Sequence, residues 1–206
     1  MSRGGLLIWN GCQPDALGDY ERWHQHEHLL ERVGIPGFKK GSRFEALPGT
    51  EPQFFTLYET ASPEVLLSPR YRERLADPSP WTRRIMPAFT DVSRTVCRQE
   101  ASWGIANTAA LVSLVAEESA VLARVASEMQ GESCLGWSLW QAVVEPGGMS
   151  EEQEMRGAAD KHIAQALLLR MARPQDATRT ATALAELGDV GAYALIASMT
   201  AEEARP

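Results

Sequence analysis

Residues 38–60, FKKGSRFEALPGTEPQFFTLYET, contain two strand-like runs on either side of a turn. In the first run, Phe38 and Phe44 fall on one face, and Lys39 and Arg43 fall on the other, which predicts a strand with an apolar and a polar side. The proline and glycine of PGTEP are typical of a turn, and QFFTLYET is rich in residues that favour strands. The stretch therefore predicts two strands joined by a turn.

Outward from this pair, the sequence predicts one helix and one further strand on each side. The helix at residues 15–33 ends where GIPG places glycines around a proline. The segment at residues 63–89 is helical but interrupted by DPSP, where Ser79 can cap a new helix and Pro80 can occupy its first position. The outer strands are GLLIWNGC at residues 5–12 and SRTVCRQE at residues 93–100.

The second half of the chain repeats the order strand, helix, strand, strand, helix, strand. Residues 145–161 interrupt it with a long, acidic connection that predicts a loop or a short extra helix. The predicted strands are residues 108–116, 134–144, 162–173 and 191–199, and the predicted helices are residues 118–130 and 176–189.

This doubled order is the β-α-β-β-α-β pattern of ferredoxin-like units. One face of such a sheet carries both helices, and the other face is apolar and must be covered. We therefore predict an α+β protein of two tandem ferredoxin-like units, residues 1–102 and 103–206, packed sheet to sheet as a pseudo-dimeric α+β barrel. An enclosed space is expected between the sheets or beside the helices.

The composition narrows the range of partners. The 206 residues carry a net charge of −7, with 44% apolar and 23% charged residues, which is typical of a globular protein and argues against nucleic acid or anionic membrane as a partner. No apolar run is long enough to span a bilayer. Three separated cysteines favour a reducing cytoplasm, and no nucleotide-binding motif is present. A monomer or homodimer is expected.

The first half resembles the EthD-like members of the dimeric α+β barrel superfamily. The segments that carry the resemblance are YERWHQHEHLLERVGIPGFKKGSRFEA, PQFFTLYETASPEVLLSPRYRERL and PSPWTRRIMPAFTDVSRTVCR. The second half is similar only in its order of elements, and we expect that one of two related sites has been lost. The resemblance implies a pocket for a small molecule, often an oxygenated or aromatic catabolic intermediate. The matching residues are Trp23, Glu27, His28, Arg32 and the Pro36, Gly37, Phe38 run.

Three interpretations of the histidine-rich helix follow from its projection. Tyr20, Trp23, Glu27 and Leu30 form the predicted core-facing stripe, with His24 and His28 beside it and His26 on the other flank. One interpretation is a metal site of His24, His28 and Glu27. Another is an acid/base pair, Glu27 and His28, in an apolar pocket. The third is a structural helix whose buried Glu27 is hydrogen-bonded locally.

From these interpretations we predict a small-molecule-binding protein that acts by proton transfer, as an isomerase or an accessory catabolic enzyme. Glu27 and His28 would be the catalytic pair, and the substrate would contact Tyr20, Trp23, His24, Arg32 and Arg43, the arginines binding an anionic oxygen. The alternative is a non-catalytic ligand-binding or stress-response protein that uses the same cavity. No metal or other cofactor is predicted; other branches of the superfamily bind haem, but no histidine here has an evident axial setting.

Overall fold

The computed structural model describes residues 3–105, 107–131, 133–144, 151–157 and 159–204. Its eight strands form one closed antiparallel barrel in the order β1-β3-β2-β8-β5-β7-β6-β4. The strands are β1 (Gly4–Cys12), β2 (Phe38–Ala46), β3 (Phe54–Thr60), β4 (Phe89–Gly104), β5 (Ala110–Val115), β6 (Cys134–Ala142), β7 (Gln165–Met171) and β8 (Asp189–Thr200).

The barrel consists of two halves with the same internal order. In the first half the strands lie in the order β4-β1-β3-β2. In the second half they lie in the equivalent order β8-β5-β7-β6. The halves meet where β2 pairs with β8 and where β4 pairs with β6. The predicted tandem ferredoxin-like barrel is therefore confirmed. The predicted division after residue 102 falls near the end of β4, and the independence of the halves as domains stays a prediction.

The helices lie on the outside of the barrel. In the first half, the segment between β1 and β2 changes from an α-helix to a π-helical turn and back. Ser79 caps the helix that begins at Pro80 by accepting a hydrogen bond from the Thr82 amide, as its position before Pro80 predicted. The helices are α1 (Leu17–Trp23), the π-turn (His24–His28), α2 (Leu29–Val33), α3 (Pro69–Ala76), α4 (Pro80–Ile85), α5 (Ser119–Glu128), α6 (Glu151–Arg156) and α7 (Pro174–Leu184).

Most central strand positions are buried on both faces, because one face lines the barrel and the other lies under helices. This arrangement corrects two expectations for β2. A register shift between Phe38 and Lys40 places Phe38 under the helices and Phe44 inside the barrel, so the two rings do not share a face. Arg43 does not lie on a solvent-exposed polar face either: it is fully buried, on the helix-covered side.

The insertion between β6 and β7 places a part of the second half on the first. Its helix α6 contacts α3 and the short turn at Met86–Ala88, both in the first half. The predicted loop or short helix at residues 145–161 thus contains a helix, although residues 145–150 and 158 lie outside the described ranges. Within those ranges, no helix has the length and apolarity needed to cross a membrane.

Candidate functional site

The π-turn determines which side chains of the histidine-rich segment face the sheet. A π-turn contains one more residue than an α-helical turn, so each later core position moves one residue along the chain. The predicted stripe through Glu27 and Leu30 is therefore wrong. His28 is buried in place of Glu27, which is half-buried, and Leu30 is 42% exposed. His24 is also buried, whereas His26 is exposed.

Beneath this turn, polar side chains from the helix and from two strands meet. We call Tyr20, His24, His28, Arg43, Thr56 and Tyr58 the helix-side cluster. Arg43 and Thr56 are paired across β2 and β3, and Tyr58 follows Thr56 on the same face of its strand. The ring centres of His24 and His28 are 5.4 Å apart, and those of His28 and Tyr58 are 6.5 Å apart.

A glycine in β2 gives the helix room to approach the sheet at this point. A Cβ atom on Gly41 would lie 2.5 Å from Leu29 Cδ1 and 3.0 Å from the Tyr58 ring. Both distances are shorter than normal contacts between nonbonded carbons. Any larger residue would push α2 or Tyr58 away, and we infer that Gly41 sets the depth of the cluster.

The polar atoms of the cluster are buried without complete pairing. Nδ1 of His24 and His28, Oγ1 of Thr56, the hydroxyl of Tyr58 and all three guanidinium nitrogens of Arg43 lack a hydrogen-bond partner among the described residues. Arg43 instead lies over the rings of Phe54 and Tyr20, at 4.4 and 4.9 Å from their centres. Buried polar groups are nearly always paired in folded proteins. So many unpaired groups in one cluster favour a role in binding.

The charge state of the cluster follows from its burial. Burial lowers the pKa of His24 well below its usual range, and the positive charge of Arg43 acts in the same direction. Burial, followed by Arg32, lowers the pKa of His28 in the same way. Burial raises the pKa of Tyr58, although Arg32 opposes the shift. At neutral pH the cluster therefore presents one cation among neutral imidazoles and phenols, which favours an anionic or oxygen-rich ligand.

One buried ion pair links α6 of the second half to the helix beside this cluster, and a second stabilises the α6 segment itself. Arg32 bonds the Glu152 carboxylate, with side chains only 4% and 11% exposed. Arg156 Nη2 contacts Asp160 Oδ1 at 2.7 Å, and these side chains are 7% and 1% exposed. Arg32 was predicted to bind substrate oxygen, but in this structure its charge is compensated by Glu152. Arg43, the cation of the cluster, has no equally close carboxylate, because Glu21 lies 3.9 Å from it and is 41% exposed.

Glu27 belongs to a separate set of hydrogen bonds. It accepts a hydrogen bond from the hydroxyl of Ser79, the cap of α4. Beside it, the Trp23 indole donates to Thr82 Oγ1 at 3.1 Å. Glu27 and Trp23 thus connect the histidine-rich segment to α4. Within the described ranges, no three His, Cys, Asp or Glu side chains are grouped as metal ligands; Glu27 is hydrogen-bonded to Ser79, whereas His24 and His28 are buried in the cluster.

The corresponding region of the second half is apolar. The sheet there is covered by α5 and α7 through a cluster that includes Val112, Leu122, Val125, Leu167 and Leu169. Its described core has no counterpart of Arg43 or of the two histidines. The candidate site is therefore a feature of the first half.

Sequence reasoning missed Thr56 and Tyr58, which complete the cluster. Both are in QFFTLYET, where every residue of β3 is buried. Because the run lacks polar and apolar alternation, its inward and outward faces could not be assigned from the sequence alone. Only the pairing of β2 with β3, which places Thr56 opposite Arg43, identifies Thr56 as a neighbour of Arg43.

The depressed histidine pKa values predict a pH dependence of stability. As the pH falls through about 6.5, His24 and His28 take up protons in the unfolded chain but stay neutral in the folded one, so stability is lost with falling pH. Between pH 6.5 and 5.5, two such groups cost about 2 kcal/mol. Urea unfolding of the wild type and of the His24→Gln, His28→Gln double variant should differ by this amount in their pH dependence.

The control for that experiment is His26→Gln, which removes an exposed imidazole from the same turn. It should keep the pH dependence of the wild type. Equal pH dependence in the wild type and the double variant would contradict the assignment of neutral, buried imidazoles.

The chain is similar to solved structures throughout its length. An anthrone oxidase-like protein matches with a TM-score of 0.61 and 6% identity over 99% of this chain and 95% of that one. A candidate monooxygenase from Lactobacillus acidophilus NCFM matches with a TM-score of 0.54 and 6% identity, over 98% and 97%. A variant of the chlorite dismutase from Candidatus Nitrospira defluvii matches with a TM-score of 0.51 and 7% identity, over 95% and 91%.

These neighbours share the α+β barrel fold of this chain. Identities this low establish the fold and nothing about the chemistry. The sequence matches no protein-family model and no curated protein.

Proposed function

We propose that the protein binds a small oxygenated or aromatic molecule in the helix-side cluster, as the EthD-like resemblance of the first half implies. The observation that carries the proposal is the buried guanidinium of Arg43, which lacks a hydrogen-bond partner among the described residues and lies among unpaired imidazole, hydroxyl and phenol groups. A ligand with a carbonyl or anionic oxygen would pair with Arg43, and the rings of Tyr20 and Trp23 would flank its apolar body.

The proposed reaction is a proton transfer within the ligand. Neutral His28 removes a proton from a carbon beside a carbonyl group, and Arg43 stabilises the negative charge that develops on the oxygen. The proton then returns to a second carbon, so the product is an isomer and no electrons are gained or lost. Glu27, the neighbouring residue on the same turn, is the second acid/base group of the proposal, and this role requires it to exchange its hydrogen bond with Ser79 for one with the ligand.

The names of the structural neighbours are compatible with this substrate class. An anthrone is an aromatic ketone, and one neighbour is described as anthrone oxidase-like. Aromatic ketones carry an oxygen for Arg43 and a flat body for the surrounding rings. They therefore belong in a ligand screen beside lactones, phenols and carboxylated aromatics.

A non-catalytic ligand-binding or stress-response protein is the second candidate function. It requires the cluster to bind a ligand but requires no proton transfer. The engagement of Glu27 by Ser79 favours it, because this hydrogen bond gives Glu27 a structural role.

A thermal-shift screen tests the binding proposal directly. The panel contains the four organic classes together with haem and divalent metals, and the proteins are the wild type, His28→Ala and the control His26→Ala. A ligand class that stabilises the wild type and the control by several degrees, but not His28→Ala, would support binding in the cluster. A response shared by all three proteins, or no response in any, would contradict it.

Turnover measurements separate the two candidate functions. With a ligand from the screen, Glu27→Gln and His28→Gln are expected to lower turnover at least about 100-fold, because each removes an acid/base group. Affinity for the ligand should change little with Glu27→Gln, since the amide oxygen can still accept the Ser79 hydrogen bond. Exposed His26→Gln is the matched control. Full turnover in either cluster variant would remove that residue from the mechanism.

A further inference from the structure

A separate feature of the structure is a cavity of about 580 Å³ at one end of the barrel. This volume is within the range of small-molecule sites. The cavity is bounded by the last residues of β1 and β5, the first residues of β8 and the segments before β3 and β7. Residues near the start of β4 also line it, so it lies between the two halves, and we call it the mouth cavity.

The lining of the mouth cavity is about half apolar and half polar, and two aromatic side chains belong to the apolar part. Trp9 and Tyr193 line it together with Val115 and Ile163. The Trp9 indole reaches across to Ser113, with 3.4 Å between Nε1 and Oγ. The rings of Trp9 and Tyr193 also pack against Phe55, with ring centres 4.7 and 5.8 Å away. The two aromatic walls are thus held in place from the barrel interior.

A glycine makes room for one of the aromatic side chains at this end of the barrel. A Cβ atom on Gly191 would lie 2.4 Å from the Tyr193 ring, so only glycine allows that ring to lie across the strand. At the other end of the barrel, Arg170 and Trp140 both donate hydrogen bonds to Ser138, at 2.9 and 2.8 Å, and the space that remains beside Arg170 is only about 10 Å³. The interior beside Arg170 is therefore filled, although a separate cavity of about 530 Å³ lies at the outer edge of that end.

Backbone hydrogen bonds fix the rim of the mouth cavity. The Leu47 amide donates to the Ala192 carbonyl at 2.8 Å, and the Ala192 amide donates to Thr50 Oγ1 at 3.0 Å. On the opposite side, Lys161 exchanges two backbone hydrogen bonds of 2.9 Å with β4. Both rim segments are thus attached to strands of the barrel, which favours a cavity formed before any ligand binds.

The rim is mainly acidic. Glu51, Asp91 and Asp189 line it, against the single cation Lys161, which is 3.9 Å from Asp91. The carboxylates of Asp189 and Glu51 also act on the aromatic wall: burial raises the pKa of Tyr193, and these two charges add to the shift. Among the described residues Glu51 and Asp189 have no ion-pair partner, so two negative charges lie beside Trp9 and Tyr193, which are 6% and 1% exposed.

We propose that the mouth cavity binds a small organic cation with an aromatic or apolar body. The carboxylates of Asp189 and Glu51 attract the cationic group, which also interacts favourably with the faces of Trp9 and Tyr193. The body of the ligand fills the space between the aromatic walls. An organic anion would meet repulsion at the rim, and a neutral analogue would lose the attraction.

This second site is separated from the helix-side cluster by the thickness of the sheet. Phe55 points into the barrel, while its neighbours Phe54 and Thr56 face the helices. Two ligands of opposite charge preference could thus bind on the two faces of the same strand. A variant of one site should leave the other intact.

Calorimetric titration with three matched probes tests the proposal. They are 2-phenylethylammonium, neutral 2-phenylethanol and anionic phenylacetate. The proteins are the wild type, Glu51→Gln with Asp189→Asn, and the control Glu186→Gln with Glu202→Gln, which removes two exposed charges elsewhere. The variant Val115→Trp places a large side chain at the cavity entrance. The variant Arg43→Met tests whether binding in the mouth cavity is independent of the helix-side cluster.

One cation is expected to bind per chain, at least about tenfold more tightly than the alcohol, because of the charge and cation–π interactions. The Glu51 and Asp189 variant should weaken binding at least about fivefold, while its control and Arg43→Met should not. Val115→Trp should abolish binding. Equal binding of cation and alcohol, equal effects of the two charge variants, or no cation binding up to about 10 mM would each overturn the proposal.

Discussion

Arg43→Met is expected to raise the free energy of unfolding by about 1–3 kcal/mol and to weaken ligand binding at least about 100-fold. The guanidinium is fully buried, and its close contacts are two aromatic rings and an exposed carboxylate. Methionine has a similar length, needs no hydrogen bonds and can pack against the same rings. Removing the guanidinium leaves Glu21 without its ion-pair partner, but water can solvate this exposed carboxylate.

Chemical denaturation and titration of a ligand from the screen measure the two effects. Arg98→Met, at an exposed position of β4, is the control for the substitution itself and should change neither quantity appreciably. A marked loss of stability in Arg43→Met would show that the guanidinium is satisfied within the folded protein, and the proposed ligand-binding role would then lose its main support.

Arg32→Met is expected to have the opposite effect, a loss of about 3–5 kcal/mol of unfolding free energy. This substitution removes the ion-pair partner of Glu152. The Glu152 side chain is only 11% exposed, so its charge would then be buried without a partner. Glu152→Met should be comparably harmful, because it leaves Arg32 unpaired. The double variant should recover most of the loss, since neither charge then stays buried alone.

The matched control is the pair Arg124 and Glu128, four residues apart on α5 and 52% and 58% exposed. Removing either partner there should cost less than about 0.5 kcal/mol. A double-variant cycle from urea unfolding gives both coupling energies. If the buried pair couples no more strongly than the exposed pair, then the inferred attachment of α6 to the first half is wrong.

The order of elements was predictable because strands, turns and caps carry local signals. The glycine and proline turn after β2, the Ser79 cap and the doubled order of elements are visible without tertiary information. The pairing of the two halves into one closed barrel also followed, since each sheet has a second apolar face that must be covered.

The orientation of the site residues was not predictable in the same way. The π-turn at His24–His28 replaces Glu27 by His28 on the buried face, and a projection at constant pitch cannot detect an extra residue in a turn. The register shift near Phe38 has the same consequence in β2. Arg43 was expected on a polar face because it alternates with Phe44, but both faces of that strand are covered.

The covalent connection of the halves frees the barrel from the symmetry of a homodimer. In a dimer of identical chains, every substitution appears twice, and a helix inserted over one subunit's site must have an equivalent over the other. Here α6 packs against the first half, and the corresponding layer of the second half is filled with aliphatic side chains. One half can thus specialise in recognition while the other contributes mechanical support, and dilution does not separate them.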